Sequence, residues 1–320
     1  MTTSLSLPWQ PSASIEILRK RATIIGQIRD FFKLRGYLEV ETPALSRFAI
    51  TDVYLANIKA IFRDKPYYLQ TSPEYHMKRL LAAGSGPIFQ LARVFRDDEL
   101  GRWHNPEFTM LEWYQLDIDH HQLMDEMDSL LQEILQCPPM LRKTYRQVFL
   151  ESCQLDPFTA TISDLNACLK AYNLDNVLTP DEEDRDQYLF LIMSHLVEPE
   201  LGKQALPVAV YNFPPSQAAL AQINQGVAER FEIYMQGVEL ANGFHELSDA
   251  SLQAARFQQD LVGRRSQGLA EPEPDAYLLQ ALAHGLPHCS GVALGIDRLV
   301  TLALKRSSIA ESLAFDFARA

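Results

Sequence analysis

Between Leu91 and Tyr114 the chain reads LARVFRDDELGRWHNPEFTMLEWY, and Arg93, Arg96 and Arg102 stand among Asp97, Asp98, Glu99, Glu107 and Glu112. A guanidinium is planar, permanently charged and offers a fork of donors that fits phosphate. Carboxylates in the same stretch fit a cationic amine. The mixture points to a site that holds an anionic phosphate and an amine side by side. Two later stretches carry related chemistry. Glu239 and Glu246 lie seven residues apart across Asn242-Gly243. With Glu239 ending one strand and a turn or bulge before Glu246, both would face one cavity. Their hard oxygens suit Mg²⁺, which commonly takes one or two carboxylates besides phosphate oxygens and water. Gly291 to Arg298 carries small residues, Gly291, Ala293 and Gly295, that let backbone approach a ligand, and Arg298 follows at a helix start. Each feature also has a simpler reading. Glu239 and Glu246 fit solvated acids, Asp297 fits a helix cap beside a surface arginine, and Glu74 fits a charge favourable to a helix dipole.

The elements that must position these residues follow from periodicity. Ile88 to Phe95 and Phe108 to Tyr114 are apolar runs that read as two antiparallel strands. The loop between them is too long for a tight hairpin, and long ordered loops are usually functional. Ahead of them, Ser14 suits a helix cap, and Leu18, Ala22, Ile25, Ile28 and Phe32 recur at three and four residue steps up to Gly36. Tyr37 to Val40 reads as a strand. Ile58 to Phe62 and Tyr67 to Gln70 read as a hairpin around Arg63 to Pro66. Ser72 and Pro73 open a helix that Gly84 closes. A helix over His120 to Leu135 follows the central strands and is broken by Pro138-Pro139. Residues 140 to 205 carry helical patterns, Ile162 to Tyr172 and Arg185 to Val197, and read as a helical insertion. Val208 to Asn212 and Phe231 to Leu240 read as strands. A helix from Ser248-Asp249 to about Arg265, one ending near Gly285, and a strand turning into a helix at Asp297 complete the chain. Strands come in clusters rather than in regular βα alternation. The fold expected is α+β, an antiparallel sheet flanked by helices.

Composition excludes several classes. The chain has 320 residues, 47% hydrophobic and 22% charged, which supports a large core. No apolar run approaches the ~18–20 residues of a membrane span. The first residues lack a basic start and an apolar signal core. Cys137, Cys153, Cys168 and Cys289 are widely spaced, without a zinc signature, and suit a reducing cytoplasm. A net charge of −12 argues against an extensive nucleic-acid surface. P-loop, Rossmann, HExxH and GxSxG patterns are absent.

Taken together, these stretches resemble the class II aminoacyl-tRNA synthetases, specifically the lysyl-tRNA synthetase catalytic core. The first helix with Glu41-Thr42-Pro43 looks like motif one, Phe95-Arg96 through Glu112 like motif two, and Gly291 to Arg298 like motif three. SPEYHMKRLL, HNPEFTMLEWY and GVELANGFHEL match the lysine branch. The resemblance runs from Ser14 onward, with residues 1–13 as a tail and 14–320 as catalytic domain. The expectation is a core without the N-terminal OB-fold that reads the anticodon. Such a core is similar to the elongation factor P (R)-β-lysine ligase family, which LPWQPSASIEILRKRA and SGVALGIDRLV match well.

That resemblance implies activation of β-lysine or lysine with ATP and Mg²⁺, and transfer to a lysine side chain of elongation factor P. It also implies a cytoplasmic homodimer. Arg96 would clamp the α-phosphate and Arg298 the γ end, with Mg²⁺ on Glu239 and Glu246. Asp97, Asp98, His104, Asn105, Phe108, Leu240 and Gly295 would complete the ATP site, Phe108 stacking on adenine. Glu112 with Tyr114 would bind the distal ammonium. Ser72 and Glu74 would serve the nearer amine, and Asn242, Phe244, Glu246 and Ala293 would line the pocket. Two positions depart from the pattern. Motif two usually reads Arg-x-Glu, and here Asp98 keeps the carboxylate one methylene shorter. Motif three usually has a glycine where Ala293 stands, which changes the space at the pocket wall. The competing readings are a truncated synthetase that charges tRNA, an asparagine synthetase-like core, and an inactive regulatory paralogue.

Overall fold

The structure, a computed structural model, describes residues 7, 9–97, 100–179 and 181–320. They fall into two units. The first runs up to Asp117 and takes up Ser248–Cys289 and Ala293–Ala320, and the second holds Ile118–Leu247 and Ser290–Val292.

In the first unit, α1 (Ile15–Leu34) starts where the Ser14 hydroxyl accepts the Ile17 N–H at 3.3 Å, and Gly36 follows it at φ +78°. β1 (Leu38–Glu39), β2 (Leu45–Ser46), β3 (Lys59–Phe62), β4 (Lys65–Leu69), α2 (Glu74–Ala82), β5 (Ile88–Phe95) and β6 (Glu107–Leu116) come next. β5 and β6 are antiparallel, with Ile88 opposite Tyr114 and Phe95 opposite Glu107. β1 joins β5 in parallel, and β2, β4 and β3 form a small separate antiparallel sheet. The β3–β4 turn is tighter than its sequence implies. Only Arg63 and Asp64 turn, at φ +50° and +60°, and Lys65 and Pro66 already belong to the strand. α1 is rotated from its expected face. It buries Ile17, Ile24, Ile28, Phe31 and Phe32, while Ala22 is exposed and Leu18 and Ile25 are half-buried. Phe32 decides this, stacking on Phe89 at 4.7 Å and meeting Trp113 at 5.1 Å between ring centres. Large aromatic side chains dominate such packing.

The second unit opens with α3 (His120–Leu135), capped by reciprocal Asp119 and Gln122 bonds. β7 (Leu141–Thr144), α4 (Tyr145–Cys153), α5 (Ile162–Ala171) and α6 (Arg185–Ile192) follow; α6 continues through a π-helical turn, Met193–Val197, into α7 (Glu198–Leu201). β8 (Val208–Phe213) then pairs in parallel with β7. Parallel strands need a long crossover, and the helices α4 to α7 are that crossover, burying Phe149, Leu165, Leu189 and Ile192 with Val208 and Val210. β9 (Ile223–Asn224), β10 (Val227–Met235) and β11 (Val238–His245) complete the unit. The stretch Phe231 to Leu240, read as one strand, is two strands around a turn at Gln236-Gly237, with φ +53° and +75°.

The chain returns to the first unit with α8 (Ala250–Ser266), capped by Asp249, and α9 (Ala276–Gly285), capped by Asp275. β12 (Cys289–Gly295) leads into α10 (Ile296–Ala303). The class is α+β as expected, but the pairing is mixed: β1–β5 and β7–β8 are parallel and the other pairs described are antiparallel. No helix among the described residues is long and apolar enough to cross a membrane.

Candidate active site

In the first unit, Glu112 sits on β6 opposite Gln90 and is 2% exposed. Its carboxylate accepts the Ser72 hydroxyl at 2.7 Å and the Tyr114 hydroxyl at 2.6 Å. Ser72 also accepts the Glu74 N–H at 3.0 Å, so one hydroxyl ties the start of α2 to Glu112. Glu74 is paired with Lys78 at 2.7 Å, one helical turn on, and Lys78 is 1% exposed. Burial and then the charge of Glu74 push Glu112 up to about 8, against bonds from Tyr114 and Ser72 and the charge of Lys78. At neutral pH the carboxyl therefore mostly keeps its proton, and a cation lodged beside it would favour the ionised form. Sequence reasoning missed Lys78, although its spacing from Glu74 is that of an i,i+4 helix pair.

The motif-two loop divides its charges differently from the sequence impression. Arg96 is half-buried, its N–H donates to the Pro106 carbonyl at 2.9 Å, and its guanidinium lies 5.3 Å from the Phe108 ring centre. Phe108 and Ala293 both pack on Ala92, Val94 and Met110, which places Ala293 beside the expected adenine platform. Arg298 donates from Nη2 to His104 Nε2 at 2.7 Å and from Nε to the Trp103 carbonyl at 3.1 Å. His104 thus holds Arg298. Asn105 donates to the Glu107 carbonyl at 3.4 Å. Asp97 is exposed, with its N–H on the Ala56 carbonyl at 2.9 Å. Asp98 and Glu99 lie outside the described residues. Arg93 pairs with Glu107 at 3.2 Å and Arg102 donates to the Ser307 carbonyl.

Gly295 is the N-cap of α10 at φ −72°, a conformation open to any residue. Asp297 does not cap its own helix. Its buried carboxylate accepts the Thr109 N–H at 2.9 Å and pairs with Arg21 at 2.5 Å, tying α10 to β6 and α1.

In the second unit, Asn242-Gly243 is not a turn. Both residues lie within β11, with Asn242 opposite Glu232 and Gly243 opposite Phe231. Glycine is needed because a Cβ there would overlap the Phe231 ring and stand 2.9 Å from Val292 Cβ. Two residues seven apart in a regular strand face opposite sides. Here Ile233 faces Ala241 while Tyr234 faces Glu239, so Leu240 is an extra residue. A bulge of this kind re-aims side chains. Leu240 and Ala241 are both buried, and the half-buried Glu239 falls into line with Asn242, Phe244 and Glu246. Glu246 is 2% exposed. Both carboxylates are hard-oxygen donors of the kind that Mg²⁺ takes.

On that same face lies a network that sequence reasoning missed. Arg230 donates to Asn242 Oδ1 at 3.3 Å, pairs with Glu232, and lies 4.7 Å and 6.0 Å from the Phe213 and Phe244 ring centres. Glu232 also accepts the Tyr234 hydroxyl. The signal was present as Arg230, Glu232 and Tyr234 at alternate positions of one strand.

The chain matches the family model of tRNA synthetases class II (D, K and N) over residues 5–319. It is 54% identical over 316 residues to an elongation factor P–(R)-β-lysine ligase of Pasteurella multocida, covering 96% of this chain and 97% of that one. It is 50% identical to the protein of that name in Photobacterium profundum, over 97% and 98% of the two chains. The one in Salmonella typhi is 52% identical, over 98% of each.

Proposed function

The chain belongs to the class II tRNA synthetases (D, K and N), and on that premise we propose that it activates (R)-β-lysine with ATP and ligates it to a lysine side chain of elongation factor P. In the first step the substrate carboxylate attacks the α-phosphorus and pyrophosphate leaves. In the second the acceptor amine attacks the mixed anhydride and AMP leaves. An adenylate is already activated, so positioning suffices for the second step and no dedicated base is required.

The observation that carries the reading is Glu112. A buried carboxyl with two hydroxyl donors and a raised pKa is an acceptor shaped for an ammonium. Ser72 and Glu74, the latter shared with Lys78, serve the amine nearer the carboxylate, and Asn242 and Phe244 orient the substrate from the face that Arg230 supports. Arg96 and Arg298 hold the triphosphate, Arg298 being pre-set by His104 and Trp103. Phe108 offers its ring to adenine. Glu239 and Glu246 would hold Mg²⁺, which supplies charge neutralisation to the phosphates. Ala293, beside Phe108 where the family commonly has glycine, adds a methyl to that wall. The enzyme works as a cytoplasmic dimer through α1.

The test is the intact mass of elongation factor P after incubation with enzyme, ATP and each lysine isomer in turn. The (R)-β isomer is expected to add one β-lysyl residue fastest. Aminoacylation of tRNA in place of elongation factor P would overturn the reading.

A further inference from the structure

Three side chains outside the proposed reaction converge at the start of α3, in β10 and at the end of β11. His120, Glu229 and His245 each offer one ligand atom, all within 4.8 Å of one another. His120 is 4% exposed. Its Nε2–H donates to Asn212 Oδ1 at 3.3 Å, which leaves the lone pair on Nδ1. That Nδ1 is buried and has no hydrogen-bond partner among the described residues. Proteins rarely leave such a buried acceptor unused. Glu229 is anchored from its other side: Asn224 donates to Oε1 at 3.1 Å, and Oε2 bonds His245 Nδ1. One polar atom of His120 and one of Glu229 are thus held by an asparagine, while Glu229 Oε2 meets His245 and His120 Nδ1 has no partner among the described residues. Outer hydrogen bonds of this kind orient metal ligands and fix the tautomer.

We propose that His120 Nδ1, His245 Nδ1 and Glu229 Oε2 form a site for a divalent transition metal of the zinc class, with water at the fourth position. Two imidazoles and a carboxylate are a donor set that zinc uses, and imidazole disfavours Mg²⁺ or Ca²⁺. Tetrahedral ligands at ~2.1 Å from a metal stand about 3.4 Å apart, so side-chain rotation suffices to close the site. The metal takes the place of the proton between His245 and Glu229, and that proton moves to His245 Nε2 as the Gln222 amide turns away, so the ligand is a neutral imidazole. Loading ties the first turn of α3 to β10 and to the end of β11, one residue before Glu246.

The full chain, stripped with chelator, is titrated with Co²⁺ and then Zn²⁺. Expected are one equivalent per chain, a tetrahedral Co²⁺ absorption band that Zn²⁺ bleaches, and a higher melting temperature. His120→Phe and Glu229→Gln each lower the affinity by at least about tenfold. The competing soft site is Cys153 beside Cys168, two half-buried thiols that meet in the second unit. A Cys153→Ser/Cys168→Ser variant is expected to keep the band and the stoichiometry. Circular dichroism of the stripped variants establishes that they fold, and Glu229→Gln decides the matter if His120→Phe does not. No saturable binding, a band that survives both ligand substitutions, or one lost with the thiols overturns the proposal.

Discussion

Glu112→Gln tests the proposed ammonium end apart from the proposed phosphate end. The carboxyl is buried, accepts from Ser72 and Tyr114, and is faced by Glu74 and Lys78. Gln keeps the volume and loses the charge that a substrate ammonium calls for. Breaking a buried charge pair costs about 3–5 kcal/mol, between roughly two and four orders of magnitude in kcat/KM for β-lysine. ATP affinity is expected to survive, since Arg96 and Arg298 are untouched. ATP–pyrophosphate exchange against β-lysine concentration, with a separate ATP titration, reads both. The same substitution alters stability. Glu112 is raised from 4.5 to about 8 in the folded chain, so between these values the native state binds more protons than the unfolded state. Its contribution is present below about 4.5 and is lost as pH rises to about 8, a span of order 3–5 kcal/mol. Urea unfolding at pH 5 and pH 8 is therefore expected to show a smaller difference in Glu112→Gln than in the parent. Exchange kinetics unchanged with β-lysine, or stability curves that run parallel, would refute the assignment.

Arg298→Ala is expected to lose about 10²–10³ in exchange rate with the fold intact, and a near-parental rate would remove it from the phosphate clamp. Asp297→Asn leaves Arg21 without its buried counter-charge while an amide oxygen still accepts from Thr109, so urea unfolding should show a loss of about 3 kcal/mol. Gly243→Ala overpacks Phe231 and Val292, and a melting curve should register about 1–3 kcal/mol of destabilisation.

What could be read from the sequence was what is decided locally. Ser14 and Asp249 announce their helices, because a cap side chain bonds N–H groups two or three residues away. The helix from His120 to Leu135 was legible with its bounds. The rotation of α1 was not, because Phe32 is placed by Phe89 and Trp113, more than fifty residues on. Turn chemistry misled in both directions. Asn242-Gly243 is a strong turn signal, but its glycine serves the Phe231 ring inside a strand. Gln236-Gly237 is a weaker one and does turn. The bulge at Leu240 was foreseen only as one of two ways to align Glu239 with Glu246, since register is set by the partner strand and not by the bulged residues.

The charges hardest to read were the compensating ones, and they explain how such a site folds empty. A buried ion without a partner costs several kcal/mol, so a ligand site cannot simply leave its charges waiting. Three of the groups proposed to hold a ligand have a local substitute. Glu74 has Lys78, Arg298 has His104, and Glu112, flanked by the acid of Glu74, keeps its proton. Ligand binding is then an exchange of partners rather than a gain of new ones. The measured affinity reports the difference between the two sets. In the proposed reading a substrate ammonium favours the ionised form of Glu112, the form that burial and the charge of Glu74 disfavour in its absence.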